Sequence, residues 1–205
     1  MTTPTAKPNN FECHQLGDGH TFYTGWLPAE LVPSTEQFEA LWKMHPGEYH
    51  EIMMHGRPVR TPRWQQAFGV DYHYTGNVNK ALPVPPQLTP VLDWAKEHIH
   101  ERLNGILLNW YDGSLGHYIG RHRDSTKNMV SGAPIVTISL GEERIFRLRP
   151  WPASCGKQVV NFEARNGAVF KMPFETNLAW THEVPASKQR TGRRISVTLR
   201  AFEAA

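Results

Sequence analysis

The second half of the chain is written in short segments separated by turn signals, and this constrains the fold more than any other feature. Residues 106–111 form one such segment, closed by Asp112-Gly113; others run over 134–140, 144–148, 158–162, 168–172 and 194–202. Asn166-Gly167, between two of them, is a strong hairpin signal. Short strands at regular spacing cannot each bury a face alone. They stack into a sandwich or barrel.

Helical patterns are confined to the first half. Ser34 and Gln37 have capping-box spacing, and Phe38, Leu41 and Trp42 follow at i, i+3, i+4. Thr89-Pro90 predicts a cap and an N1 proline ahead of Val91, Leu92, Ala95, Ile99 and Leu103. The intervening stretch 53–69, rich in Gly, Pro and Arg, reads as a hairpin or exposed loop. Together these predict an α+β, jelly-roll-like fold with helices packed outside one sheet.

A chain of 205 residues fits one domain and buries roughly 70% of its unfolded surface. Residues 1–10 read as a flexible tail, without the apolar region of a secretion signal. No apolar run approaches the ~20 residues of a membrane helix, and two cysteines, Cys13 and Cys155, suit a reducing compartment. A cytoplasmic protein is expected. The net charge of +3 is mild, but Arg57, Arg60 and Arg63 cluster, as do Arg121, Arg123 and Lys127, and Lys188, Arg190, Arg193 and Arg194. Such clusters permit an anionic partner.

His122-Arg123-Asp124 spells the H-R-D of a protein-kinase catalytic loop. That loop needs an Asn five residues after its Asp, where this chain has Met129. D-F-G, V-A-I-K and G-x-G-x-x-G are also missing, so kinase chemistry is excluded. On a strand, however, His122 and Asp124 would share one face and could present an imidazole and a carboxylate to one ion. A further histidine would complete a facial triad with open positions, which suits non-haem Fe(II). His117 is too close on the same segment; the first-half histidines fall in helix or loop; His182 follows most of the strands and is a candidate.

Residues 194–200 alternate strictly. Ile195, Val197 and Leu199 form an apolar face, and Arg194, Ser196, Thr198 and Arg200 share the other. If that polar face points into a barrel, two unpaired cations there would cost several kcal/mol and call for anions. Their backbones are roughly 20 Å apart at ~3.3 Å per residue, leaving room for a small dicarboxylate between the side chains. Asn109 and Tyr111 form another same-face pair on the strand leading into the His-x-Asp segment.

The ordered set N-W-Y-D-G, H-R-D, A-P-I-V-T-I-S-L-G, T-N-L-A-W-T-H and R-I-S-V-T-L-R resembles the AlkB family of Fe(II)- and 2-oxoglutarate-dependent dioxygenases over about residues 50–203. The resemblance implies a double-stranded β-helix core over about 105–203, within a single domain of 11–205. It implies iron bound by His122, Asp124 and His182, with Arg200 completing the catalytic set near one end of 2-oxoglutarate. Arg194 would anchor the distal carboxylate, a task suited to a planar guanidinium fork, and Asn109, Tyr111 and Thr198 would support the co-substrate. The implied chemistry consumes O2, converts 2-oxoglutarate to succinate and CO2, and hydroxylates an N-methyl group that leaves as formaldehyde.

The segment around 54–76 is most similar to members acting on alkylated double-stranded DNA. A nucleotide-recognition region over about 45–80 would place Met54, His55 and Gly56 at a hairpin tip, with Arg63 behind it. Tyr72 and Tyr74 would stack on an extruded base, with Ser125 beside it. The partner implied is alkylated DNA, single- or double-stranded, or RNA; a monomer without membrane association is expected. Ser125 and Thr126 stand where many family members carry acids, and His55 where an apolar wedge is usual. Two other readings compete: a dioxygenase of this fold acting on RNA, protein or a small molecule, and a nucleic-acid-binding module with a structural zinc. The Arg-x5-Arg strand counts against the latter.

Overall fold

The computed structural model describes residues 11–54, 56–74 and 77–203. The tail at 1–10 and His55 lie outside the described residues. Strands β1 (Glu12–Gly17) and β2 (His20–Trp26) precede helix α1 (Thr35–Trp42). Next come β3 (Glu51–Met54), β4 (Arg57–Arg60), β5 (Trp64–Phe68), β6 (Tyr72–Tyr74) and β7 (Asn77–Asn79), then helix α2 (Thr89–His98). The second half contains β8 (Gly105–Asp112), β9 (Ile119–His122), β10 (Ile135–Gly141), β11 (Arg144–Pro150), β12 (Val160–Ala164) and β13 (Ala168–Met172). A short helix α3 (Phe174–Ala179), β14 (Trp180–Val184) and β15 (Arg193–Arg200) follow.

A seven-stranded sheet in the order β1-β2-β13-β10-β15-β8-β5 faces a four-stranded sheet in the order β12-β11-β14-β9. Pairing within both is antiparallel. The space between them is filled by Leu107, Ile135, Phe170 and Met172 from the large sheet and by Phe146, Leu148, Trp180 and Val184 from the small one. This is the double-stranded β-helix. The outer face of the large sheet carries Ile106, Leu108, Trp110, Val136, Ile138, Ile195, Val197 and Leu199, covered by Leu41 and Trp42 of α1 and Val91, Leu92 and Ala95 of α2.

Strand β15 lies near the middle of the large sheet, between β10 and β8. Its alternation therefore has a consequence on each face. Ile195, Val197 and Leu199 are fully buried against the helices, each contributing about 1.5–3 kcal/mol of apolar transfer free energy. Arg194, Ser196, Thr198 and Arg200 point the other way, into the space between the sheets, and are buried too. Trp110 on β8 is likewise fully buried; its indole N–H donates to Leu41 O at 2.9 Å and so fastens α1 to the sheet.

The capping box of α1 forms as its spacing predicts. Gln37 N–H donates to Ser34 Oγ (3.3 Å), and Ser34 N–H donates to Gln37 Oε1 (2.8 Å). Helix α2 differs from expectation. Thr89 is its first helical residue, Leu88 occupies the cap position without a side-chain bond, and the helix stops at His98. Ile99 and Leu103 pack on the same core from beyond the helix, because burial of their side chains does not require helical backbone. The 53–69 stretch is in part a hairpin, β3–β4, but β5 leaves it to become the edge of the large sheet beside β8.

Candidate active site

Strand β9 ends at His122, so His122 and Asp124 do not share a strand face as their spacing suggested. Asp124 follows in irregular backbone held by Asn177 of α3. The Asp124 N–H donates to Asn177 Oδ1 at 2.9 Å, and Asn177 Nδ2 donates to Asp124 O at 3.0 Å. That amide does the work the ladder would have done. His182 lies on β14, directly paired in register with His122 on β9.

The ligating atoms of His122, Asp124 and His182 lie within 4.8 Å of one another. Asp124 Oδ1 is 3.5 Å from His122 Nε2 and 3.6 Å from His182 Nε2. His122 Nδ1 donates to Gly120 O at 2.8 Å, which fixes the tautomer that leaves the Nε2 lone pair toward Asp124. Burial, then His122 and Arg200, push His182 down to about 3 against the opposing pull of Asp124, so its imidazole is neutral. The Asp124 carboxyl is buried, which alone would raise it. Arg200 first, then the neighbouring His182 and His122, outweigh that and hold it well below the carboxylate range. Arg200 Nε and Nη2 both donate to Oδ2, the former at 3.1 Å. One carboxylate oxygen is thus occupied by a guanidinium and the other faces the two imidazoles. Two imidazoles and a carboxylate form the donor set of a facial triad for Fe(II).

Arg194 is the most telling group. It is fully buried, its Nε–H donates to Ser139 Oγ at 2.9 Å, and Nη1 and Nη2 have no partner among the described residues. Burial pushes it down to about 10, Tyr111 opposing and Arg144 reinforcing, so it stays cationic at neutral pH. A buried guanidinium with two idle nitrogens is costly unless a bidentate anion completes it.

Arg194, Ser196, Thr198, Arg200, Asn109, Tyr111 and the triad line one cavity of about 480 Å3, a size typical of small-molecule sites. It is also walled by Arg63, Gln65, Tyr72 and Tyr74, with Ile52, Val59 and Arg60 from the β3–β4 hairpin. Tyr72 and Tyr74 have ring centroids 5.3 Å apart. Burial pushes the Tyr74 phenol up to about 12, with Arg63 opposing, and raises Tyr72 further, so both keep their protons. Arg63 was expected behind the hairpin tip, and it lies beyond β4, immediately before β5. It is buried, donating from Nε to Asn109 Oδ1 (2.7 Å) and from Nη2 to Gln65 Oε1 (3.0 Å), and it links the co-substrate wall to the aromatic wall.

Met54 ends β3 opposite Arg57, and Gly56 occupies the hairpin turn at φ +76°, as their place in the sequence predicted. Ser125 sits beside the cavity, lining the hollow that adjoins it next to Asp124. Sequence reasoning missed Asn177 and Ser139, which act through partners remote in the chain, and Gln65, which bonds Arg63 and the Tyr74 hydroxyl. Arg121 and Arg123, which the sequence marked only as part of a basic cluster, also line the cavity.

This combination of sandwich, triad and buried arginine matches a known family: residues 19–200 fit the 2OG-Fe(II) oxygenase superfamily, and the chain belongs to it. Within that superfamily it is an AlkB-family member. The DNA oxidative demethylase ALKBH2 of Mus musculus is 29% identical over 163 residues, covering 75% of this chain and 67% of that protein. Those of Bos taurus and Homo sapiens are each 29% identical, over 84% of this chain and 64% and 69% of their own lengths. The chain thus spans about two thirds of the relatives it matches. The solved structure of OsALKBH1 superposes with a TM-score of 0.57 at 13% identity, over 93% of this chain and 100% of that one; this likeness concerns the fold.

Proposed function

We propose that the protein is an Fe(II)- and 2-oxoglutarate-dependent demethylase of N-alkylated bases in DNA. The observation that carries this is a single cavity joining the triad, a buried arginine with two idle donors, and a wall of two tyrosines. The similarity to ALKBH2 proteins supports DNA as the substrate.

His122, Asp124 and His182 would hold the iron, and Arg194 would take the distal carboxylate of 2-oxoglutarate through Nη1 and Nη2, with Asn109, Tyr111 and Thr198 lining its path. When bound, iron and 2-oxoglutarate supply with O2 the oxidising power that hydroxylates the N-methyl carbon, yielding succinate, CO2 and, after loss of the hydroxymethyl group, formaldehyde. Arg200 holds Asp124 in one orientation and keeps it ionised. Tyr72 and Tyr74, protonated and largely apolar, offer an extruded base a surface to pack on and exclude water from it.

The test is succinate formation by anaerobically purified protein, supplied with Fe(II) and 2-oxoglutarate, then O2, with methylated DNA, methylated RNA or no nucleic acid. Stimulation by methylated DNA, with formaldehyde release, is expected. Stimulation only by RNA would reassign the substrate, and absence of iron-dependent turnover throughout would end the reading as an oxygenase.

A further inference from the structure

A second hollow, of about 770 Å3, adjoins the cavity and shares Tyr74, Arg121, His122, Arg123 and Asp124 with it. Its outer wall is Trp151, Leu178 and Lys127. Trp151 and Leu178 are 43% and 45% exposed, an unusual state for a tryptophan and a leucine side by side on one wall. The guanidinium carbons of Arg123 and Arg121 lie 5.3 and 5.9 Å from the Trp151 ring centroid.

Both arginines are tethered from beneath. Arg121 donates from Nε to Thr181 Oγ1 (2.8 Å) and from Nη2 to Pro150 O (2.6 Å), and Arg123 donates from Nη1 to Leu178 O (2.8 Å). All three of these acceptors are neutral, so neither positive charge is cancelled there. Among the described residues, the only carboxylate lining the hollow is Asp124, already paired with Arg200. An aromatic face beside held, uncancelled cations is the recognition chemistry of a single-stranded nucleotide: the base stacks and the phosphate meets the guanidinium.

We propose that this hollow seats the nucleotide adjacent to the one whose base enters the cavity, its base on Trp151 and its phosphate on Arg121 and Arg123. The proposal rests on the nucleic-acid reading above and extends it to a site outside the chemistry. The shared wall makes the geometry consistent. A base at the triad leaves its own backbone at the mouth, and the next residue along the strand falls where Trp151 stands.

The experiment is fluorescence anisotropy of a labelled, unmethylated single-stranded 12-mer with the full chain, comparing wild type, Trp151→Ala and Trp151→Phe, with polyphosphate of similar charge as competitor. Trp151→Ala should weaken oligonucleotide binding about tenfold, Trp151→Phe should restore most of it, and polyphosphate should compete equally well against all three. Arg123→Gln should flatten the salt dependence of oligonucleotide binding. Wild-type binding by Trp151→Ala would overturn the proposal. So would equal losses in both Trp151 variants, which would mark a packing role, or a parallel loss of polyphosphate binding. Because binding is measured without turnover, a Trp151-dependent grip on DNA in a protein that demethylates no nucleic acid would contradict the proposed function and leave this surface standing.

Discussion

At the scale of single residues, the site is organised by which polar atoms are satisfied and which are left idle. Asp124 divides its two oxygens between Arg200 and the imidazoles, whereas Arg194 keeps two nitrogens without partners. Removing the charge at Arg194 should therefore separate stability from function. Arg194→Gln is expected to raise the 2-oxoglutarate concentration needed for half-maximal succinate formation by about a hundredfold, in line with the loss of a charge-assisted bidentate contact. Its melting temperature without co-substrate should not fall, because the substitution removes an uncompensated buried cation. A clear drop in thermal stability would mean that Arg194 holds the core together rather than waiting for an anion. This pair of arginines was legible in the sequence because alternation on one strand fixes facing at a period of two. The partner of Asp124 was not. Asn177 lies 53 residues away, and nothing local to either residue reports the contact.

At the scale of elements, α3 matters out of proportion to its six residues, since it carries the amide that holds the backbone of Asp124. Asn177→Ala would leave a buried N–H and C=O unpaired, at about 1–3 kcal/mol each. Mn(II) titrated calorimetrically should bind at least tenfold more weakly to that variant, even at temperatures where circular dichroism shows an intact fold. Unchanged affinity would remove α3 from the account of the site. The sequence was informative about elements with two distinct faces, such as α1 and β15. It was silent about β1 and β2. Strand β1 is an edge strand whose residues are mostly exposed, with Leu16 alone fully buried, so it presents no apolar repeat to read. The extent of α2 was misread for the opposite reason: Ile99 and Leu103 continue its apolar pattern after its backbone has turned away.

At the scale of the whole molecule, charge is the property that sorts substrates. Among the described residues, the cavity is lined by Arg60, Arg63, Arg121, Arg123, Arg194 and Arg200 and by one carboxylate, Asp124. A ferrous ion and a 2-oxoglutarate dianion cancel each other, so the loaded cavity stays positive. Ser125 and Thr126 add no compensating acid. Neutral N-methylated bases such as 3-methylthymine and 1-methylguanine should be turned over about tenfold more efficiently than the cationic 1-methyladenine and 3-methylcytosine, compared as kcat/KM in one oligonucleotide context. A preference for the cationic pair would show that a group other than Asp124 supplies negative charge to the base.

The pairing of His122 with His182 carries one more consequence. Strand β9 is a four-residue edge strand, joined to β14 by His122 opposite His182 and Ile119 opposite Val184, with an irregularity between them. So short a ladder specifies its own alignment weakly, and a slip of one residue would turn an imidazole to the opposite face. An ion that needs both imidazoles at once binds only the correct alignment, so chelation would itself select the native register of this edge. Hydrogen exchange at the β9 amides should accordingly slow when Mn(II) is added, while exchange in the central strands β10 and β15 stays as it was. On this view the metal is a clasp for the weakest seam of the barrel as well as a reagent.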